Sequence, residues 1–467
     1  FSRLQVNSSA GVLVSVGRPG SYSCATVSAV VDSTLTSIAK TSKYDLTMPQ
    51  VLSHVEGNDR SAAACLLEWH RYVASTEQVK KPDVVCPVDQ AVRRYQFHPV
   101  NFDPAAKPSL TAFMNPMIHG AFAPDQTVDN EVQSVLARVE KVRAPFIPMT
   151  SFLAKVMQEF ATALIPDNRS HTLDPTDYDE ILSRQKRPAQ RRTLAIAETM
   201  LPDRIIKMFL KKEAYPNVKD PRAISQINPV DKREYSSFTY AFEAVFKNQA
   251  WYAFGKTPRL IAERVAQVAS TAQTLVNTDF SRFDGHGSNA MRELERVCLL
   301  RAFRPCHHAK LLELHRSQFG LRAVATFGTW YETEFSRASG SPETSLFNSL
   351  VNAFCAFLCL RMTKIDGLFI SPEIAYRRLG IYGGDDGITA DVVPTTYKRA
   401  AAMIGQELTV EPVLRGKIGV KFLARVYSPD VWYGDVNSCC DIQRQISKLH
   451  VTVRLPTNAT PIMKLLE

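Results

Sequence analysis

The sequence predicts an α+β chain of two or three lobes, organised around an antiparallel sheet backed by helices. Three observations carry this. The 467 residues exceed one minimal domain and can bury a large core. Strand-like alternations and helical spacings are interspersed, with no internal repeat and no low-complexity tract. And Ile381-Tyr382-Gly383-Gly384-Asp385-Asp386-Gly387-Ile388-Thr389, flanked by Leu379, Val392 and Val393, reads as a β-hairpin with two carboxylates at its tip.

Taken in order, Val12, Val14 and Val16 alternate as in a strand, and a helix starts at Asn58-Asp59 and runs through Ala62, Leu66, Leu67 and Trp69 towards Tyr72. Pro82, Pro87, Pro99, Pro104 and Pro108 then break the chain. Val132, Val135, Leu136 and Val139 mark one helix, and Phe152, Leu153, Val156 and Phe160 a second, with Pro145 and Pro148 between them. A basic, proline-containing stretch follows (Arg184, Lys186, Arg187, Arg191, Arg192), which as a charge run reads as a solvated face. Lys207, Lys211, Lys212, Lys219, Arg222, Lys232 and Arg233 lie on a segment that Pro216 and Pro221 keep from forming one long helix. Apolar Ile205, Ile206, Phe209 and Leu210 tie it to a core, so a proline-bent strand or loop lining a phosphate groove is expected.

Leu260 to Val268 continues as a helix, and Thr274 to Asp279 is a strand ending in a carboxylate. Ser288 is placed to cap a helix from Met291 to Phe303. Cys306-His307-His308 reads as a loop, since neighbouring residues do not readily face one ion. Phe319 to Phe335 suggests a hairpin about Gly320 and Gly328, Glu343 to Met362 a helix, Thr395 to Ile404 a helix stopped by Gly405, and Gly419 to Tyr427 a strand.

The net charge of +10 and pI near 9.1 favour a polyanionic partner, nucleic acid or an anionic membrane surface. Nine scattered cysteines, at 24, 65, 86, 298, 306, 355, 359, 439 and 440, form no CxxC framework and read as reduced thiols of a cytosolic protein. No signal peptide is visible. The longest apolar run, Leu350 to Leu360, is interrupted by Asn352 and falls short of the ~20 residues of a spanning helix. A chain that does not begin with Met is expected to be a fragment or processed product, with any membrane anchor outside it.

An Asp-Asp pair on a hairpin repels itself unless neutralised, and a hard divalent cation with oxygen ligands is the natural neutraliser. Alone, Gly-Asp-Asp-Gly is an ordinary turn. Two upstream stretches change this: Asp279-Phe280-Ser281-Arg282-Phe283-Asp284-Gly285, with carboxylates five apart, and Ser339-Gly340-Ser341-Pro342-Glu343-Thr344-Ser345-Leu346-Phe347-Asn348, where Thr344 and Asn348 share a helix face. In this order and spacing the three resemble motifs A, B and C of viral RNA-dependent RNA polymerases. Their wording is most similar to the nodavirus group of positive-strand viruses. The segment with Lys211, Lys212 and Arg222 resembles motif F, Gly405 to Lys417 motif D, and Val420 to Val426 motif E, so the resemblance covers about residues 205–430.

The resemblance implies a right-hand fold of fingers, palm and thumb. It would comprise a wrapping extension at 1–115, fingers at 116–275, a palm at 276–426 and a thumb begun at 427–467 and truncated or continued elsewhere. It implies template-directed RNA synthesis by nucleotidyl transfer with two metal ions about 3.5–4 Å apart. Asp279 and Asp385 are expected as principal ligands of Mg²⁺ (with Mn²⁺ as substitute) and Asp386 as supporting, the Phe280 carbonyl completing the shell. Asp284, Ser339, Thr344 and Asn348 are expected to select ribose through its 2′-hydroxyl. Lys211, Lys212 and Arg222 would bind the triphosphate. Lys417 is the candidate general acid, with Arg415 competing, and His286 reads as structural or template-side. RNA template and product, nucleoside triphosphates and further copies in a replication complex are the expected partners. That complex would lie in host cytoplasm at a membrane, mitochondrial if the nodavirus likeness extends so far, reached through segments outside this chain. A reverse transcriptase is disfavoured by Gly384 before the Asp pair and by Asn348 opposite Asp284. A non-catalytic RNA-binding scaffold is disfavoured because all three carboxylates are present.

Overall fold

The computed structural model describes residues 2–8, 11–41, 46–75, 84–85, 91–97, 109–453, 455 and 459–466. The chain divides into two compact units, Phe1–Asp83 and Val84–Glu467, the boundary falling inside the stretch 1–115 that the sequence grouped as one extension. In the smaller unit, strands Ser2–Ser8, Gly11–Arg18 and Ser21–Val27 form an antiparallel meander. The alternation of Val12, Val14 and Val16 turns all three onto a core with Leu35 and Leu66, contributed by helices Ala29–Thr41 and Arg60–Ser75. Of the breaking prolines, Pro82, Pro87, Pro99, Pro104 and Pro108 lie outside the described residues, as does Cys86.

The larger unit is built on an antiparallel four-stranded sheet. Its spatial order is Ile381–Gly383, Asp386–Ala390, Thr274–Phe280, Leu408–Leu414. The strand Thr274–Phe280 is central and sends alternate residues to two cores. Val276 and Phe280 join a large cluster with helices Ser151–Leu164, Pro229–Lys247, Asn289–Ala302 and Thr344–Arg361. Leu275 faces the opposite side, with Ile381, Ile388, Val413 and Trp432, under helix Pro258–Ser270. A second, mixed sheet has the order Trp330–Glu332, Arg322–Ala325, Ile206–Leu210, Ala223–Gln226, its middle pair parallel.

The helix Thr344–Arg361 lies in the middle of the larger core. Apolar residues occur on every side of it, interrupted by Asn348, Ser349 and Asn352, which suits a helix with little solvent face, and Leu346 to Leu360 are all buried. Composition and length alone would let it cross a bilayer, yet 83% of it is buried inside the protein. Phe354 packs edge-to-face and Phe357 at a tilt against Phe160, with ring centroids 5.5 and 5.3 Å apart.

Three expectations need correction, and one about charge holds. The Gly419–Tyr427 strand is a hairpin, Lys421–Phe422 against Arg425–Tyr427, because Leu423 and Ala424 both take left-handed backbone (φ 47° and 58°). Turns of that kind usually use Asn or Gly, so the sequence carried no signal. Cys306-His307-His308 is no loop: a 3-10 turn runs directly into helix His308–Arg316. The basic stretch 184–192 is the solvated face expected, with Arg184, Lys186, Arg187, Arg191 and Arg192 all exposed on or between two short helices, Tyr178–Arg184 and Pro188–Ile196. Lys232 and Arg233 sit in helix Pro229–Lys247, capped by Asn228, and not on the strand pair that precedes it.

The packing predicts that Phe354→Ala costs about 3–5 kcal/mol, because a fully buried ring leaves a cavity its neighbours cannot close. Leu368→Ala, at a residue 76% exposed, should stay within about 0.5 kcal/mol. Thermal and urea unfolding of the two variants checks the difference.

Candidate active site

Sheet register brings the carboxylates together. Thr278 pairs with Gly387 across the central strands, so Asp279, the next residue, comes level with the turn that follows Gly383. In that turn only Gly384 is left-handed (φ 66°), the pattern of a two-residue type II′ hairpin with glycine first. Asp279 and Asp385 are exposed into one cavity of about 490 Å³, whose wall also includes Lys211, Arg222, Ser225, Asp284, Ser339 and Asn348. Asp386 is half-buried and outside the wall of that cavity, with the Leu423 backbone N–H among the groups that draw its carboxyl down.

The cluster is electrostatically loaded. Burial and then the neighbouring Asp385 and Asp279 push the Asp386 carboxyl up to about 6. Burial, Asp385 and Glu411 raise Asp279, with Arg222 and Lys219 opposing. This is a set of hard oxygen donors, crowded at their own expense, and it fits a divalent cation.

Next to it lies a pair suited to reading a hydroxyl. Asn348 Nδ2 donates to Asp284 Oδ1 at 2.9 Å, while Asn348 Oδ1 is buried without a protein partner. Burial raises the Asp284 carboxyl, against the pull of the Asn348 bond and Arg337. The Ser339 hydroxyl accepts from Ser225 N–H at 3.0 Å, and Gly340 N–H donates back to Ser225 O at 2.9 Å. The Ser339-Gly340 loop therefore docks beside the strand that follows Arg222. A Cβ on Gly340 would lie 2.6 Å from Ser225 O, so no larger residue fits. Thr344 does not line the cavity; its hydroxyl donates to the carbonyls of Ala338 and Ser341, both at 3.0 Å, closing the loop on itself.

The basic residues divide. Lys211 and Arg222 line the cavity and share Glu213 at 2.9 and 3.4 Å. Lys212 is exposed and outside the cavity wall, because successive residues leaving a strand face opposite ways. Lys417 also lies elsewhere. Antiparallel pairing sets Leu414 against Thr274 and Thr409 against Asp279, so the strand runs away from the carboxylates before reaching Lys417. Five residues of strand separate the two ends, about 17 Å. Arg415 is committed to the carbonyls of Ala269, Ser270, Ala272 and Trp432. His286 Nδ1 donates to the carbonyl of Ser281 in its own turn at 2.7 Å, which is a structural role.

Sequence reasoning missed a buried charge cluster behind the site. Arg292 and Arg337 both bond Glu295 and Glu343, and His315 Nε2 lies 2.9 Å from Glu295. Burial alone would raise Glu295, but Arg292 and Arg337 outweigh it and hold that carboxyl well below its usual range. The glutamates and His315 lie close enough together to hold a metal, yet two guanidinium groups already neutralise them. The Arg337 backbone N–H also donates to the Asp284 carbonyl at 2.8 Å, so the cluster holds the backbone of one member of the Asp284–Asn348 pair. One sign was available: Glu295 falls on the apolar face of its helix, with Met291, Leu294 and Cys298. Asn352 was also missed as part of the site, having been read only as an interruption of an apolar run. Its Nδ2 donates to the carbonyls of Gly384, Asp385 and Asp386.

Comparison with known proteins agrees with this geometry. The family described as RNA dependent RNA polymerase matches residues 235–399. The RNA-directed RNA polymerase of Atlantic halibut nervous necrosis virus is 32% identical over 395 residues, 81% of this chain and 38% of that protein. That of Flock house virus is 30% identical over 316 residues, 65% of this chain and 31% of that protein. The chain thus spans about a third of the length of the curated relatives it matches. Among solved structures, the RNA-dependent RNA polymerase of a human picorbirnavirus in its insertion-loop deletion form is similar, with a TM-score of 0.55 and 13% identity over 70% of this chain and 68% of that one. The undeleted form has a TM-score of 0.52 and 15% identity over 70% and 65%. At such identity the structures speak for the right-hand polymerase fold, and the sequence relatives speak for the family. Residues 235–399 thus match the RNA dependent RNA polymerase family, and the curated relatives of the chain are nodavirus RNA-directed RNA polymerases.

Proposed function

We propose that this chain is the body of an enzyme that joins ribonucleotides on an RNA template, with Asp279 and Asp385 as principal ligands of Mg²⁺ and Asp386 in support. The observation that carries the proposal is the convergence of Asp279 and Asp385 on one cavity that also holds the Asp284–Asn348 pair. The central sheet would serve as palm, and the mixed sheet with Lys211 and Arg222 as fingers. Bound there, divalent ions would favour ionisation of the attacking hydroxyl and neutralise the leaving pyrophosphate. Mg²⁺ is preferred because it accepts carboxylates together with substrate phosphates. RNA and nucleoside triphosphates are the substrates in this reading.

The chain's own residues divide the remaining work. Arg222 and Lys211 face the cavity as cations for the triphosphate, with Glu213 between them to hold their side chains in place when no phosphate is bound. Asp284 and Asn348 together read the ribose 2′-hydroxyl, and Ser339 remains able to donate to it while accepting from Ser225. A deoxyribose would leave this polar group without the bonds the hydroxyl makes, which is the physical basis of selection.

Primed RNA extension with Mg²⁺ tests the assignment. Asp279→Asn and Asp385→Asn should each abolish extension, and wild-type rates from either variant would refute it. Lys417→Ala should stay within about threefold of wild type, since the side chain is exposed beyond the far end of the sheet. Asn348→Ala should lower the preference for ribonucleotides over deoxyribonucleotides about tenfold, read as the ratio of kcat/KM values.

A further outcome concerns stability. The Asp386 carboxyl, raised from an ordinary 3.8 to about 6, costs folding free energy that is absent below pH about 4 and grows as pH rises through 6. Asp386→Asn should therefore stabilise the metal-free protein at pH 8, by up to about 3 kcal/mol, and lose that advantage in acid. Thermal melts across pH without divalent ions check the sign.

A further inference from the structure

The hairpin tip that carries Asp385 is a two-residue turn led by a glycine, and such a turn has little stiffness of its own. Its support comes from the fully buried helix Thr344–Arg361. Asn352 Nδ2 donates to the backbone carbonyls of Gly384 at 3.1 Å, Asp385 at 3.2 Å and Asp386 at 3.0 Å. One turn earlier on the same helix, the Ser349 hydroxyl accepts from Gly384 N–H at 2.8 Å and donates to Ser345 O at 2.8 Å. Asn352 and Ser349 are both 0% exposed. Helix and hairpin touch directly: a Cβ on Gly387 would lie 3.1 Å from Asn352 Oδ1 and 2.5 Å from Thr278 Oγ1. Thr278 precedes Asp279, so Asn352 packs where the two carboxylate-bearing segments meet.

We infer that Asn352, assisted by Ser349, is the positioning residue that fixes the carboxylates of Asp385 and Asp386 for metal binding; the inference rests on the reading of Asp279 and Asp385 as a metal site. A single amide nitrogen shared among three successive carbonyls sets the path of the turn at each peptide from which the two side chains project. Aspartate in its place would present oxygen to oxygen, and leucine would present no donor at all. A polar amide inside an otherwise apolar buried helix is unfavourable unless its bonds are made, and all of those made here go to the turn. Groups that orient metal ligands typically change metal affinity 10–100-fold when removed. The same helix carries Asn348 one turn earlier, so the ribose-facing amide and the brace of the metal turn move as one rigid element.

The test uses the full chain and Mn²⁺ alone as probe, followed by electron paramagnetic resonance or calorimetry, with primed extension alongside. Asn352→Leu, close to the native side chain in size, should weaken Mn²⁺ binding at least tenfold. It should lower kcat by a similar factor and leave KM for the nucleotide within about threefold. Ser349→Ala, which removes one bond, should weaken Mn²⁺ binding severalfold, and it decides the matter should Asn352→Leu fail to fold. A folded Asn352→Leu, or failing that Ser349→Ala, with wild-type Mn²⁺ affinity and kcat would overturn the inference and leave the metal site standing. Mn²⁺ binding that survives combined Asp279→Asn and Asp385→Asn substitution would overturn the metal site and the inference with it.

Discussion

Helix Thr344–Arg361 has little face towards water, and the rest of the larger unit is arranged around that constraint. Its apolar side chains bind together the helices and one side of the central sheet, so it neither tilts nor slides without opening packed rings. Three polar side chains on it, Asn348, Ser349 and Asn352, find their partners in the segments that carry acidic residues. A buried donor has to be satisfied, and here the amide N–H groups of Asn348 and Asn352 find Asp284 and the Gly384–Asp386 turn, while their Oδ1 atoms stay buried without a partner among the described residues. Fold and site are thus held by the same contacts.

The entry to that helix is held in a different way. Arg292, Glu295, His315, Arg337 and Glu343 form a desolvated network in which two guanidinium groups face two carboxylates. Such networks are weak contributors to net stability, since desolvation offsets most of the attraction. Their geometry is restrictive, because moving any member strands a buried charge. The network therefore fixes where the Ser339-Gly340 loop leaves the helix and where the Asp284 backbone sits. The carboxylates at the hairpin contrast with it: among the described residues no ion pair reaches Asp279 or Asp386, and burial and the neighbouring Asp385 oppose the ionisation of both. One group of charges is neutralised within the chain, and the other is not.

Much of the fold was legible where local chemistry is strong. Ser288 caps its helix as its position suggests, accepting from Met291 N–H. The alternation of Val12, Val14 and Val16 and the hairpin about Asp385 and Asp386 were equally readable. Legibility failed where backbone conformation departs from residue preference, as at Leu423-Ala424, and where a charged side chain is buried by distant partners, as at Glu295 and Arg337. Lys417 shows a third kind of failure. Proximity along a motif suggested a place beside the carboxylates, whereas strand direction carries it to the other end of the sheet.

By itself the sequence determined which residue types are available and in what order: paired carboxylates between glycines, a Ser-Gly loop before an apolar helix, and lysines and arginines on a strand. These follow from local rules, turn preference and side-chain period, that act over a few residues. Tertiary structure alone decided which of them share a cavity. Asp279 and Asp385 meet because two strands pair in one register, and Arg222 joins them while Lys212 does not because side chains alternate across a strand. Asn352 braces the turn because its helix has nowhere else to be buried. Register and burial are relations between segments far apart in the chain, and no short stretch contains them.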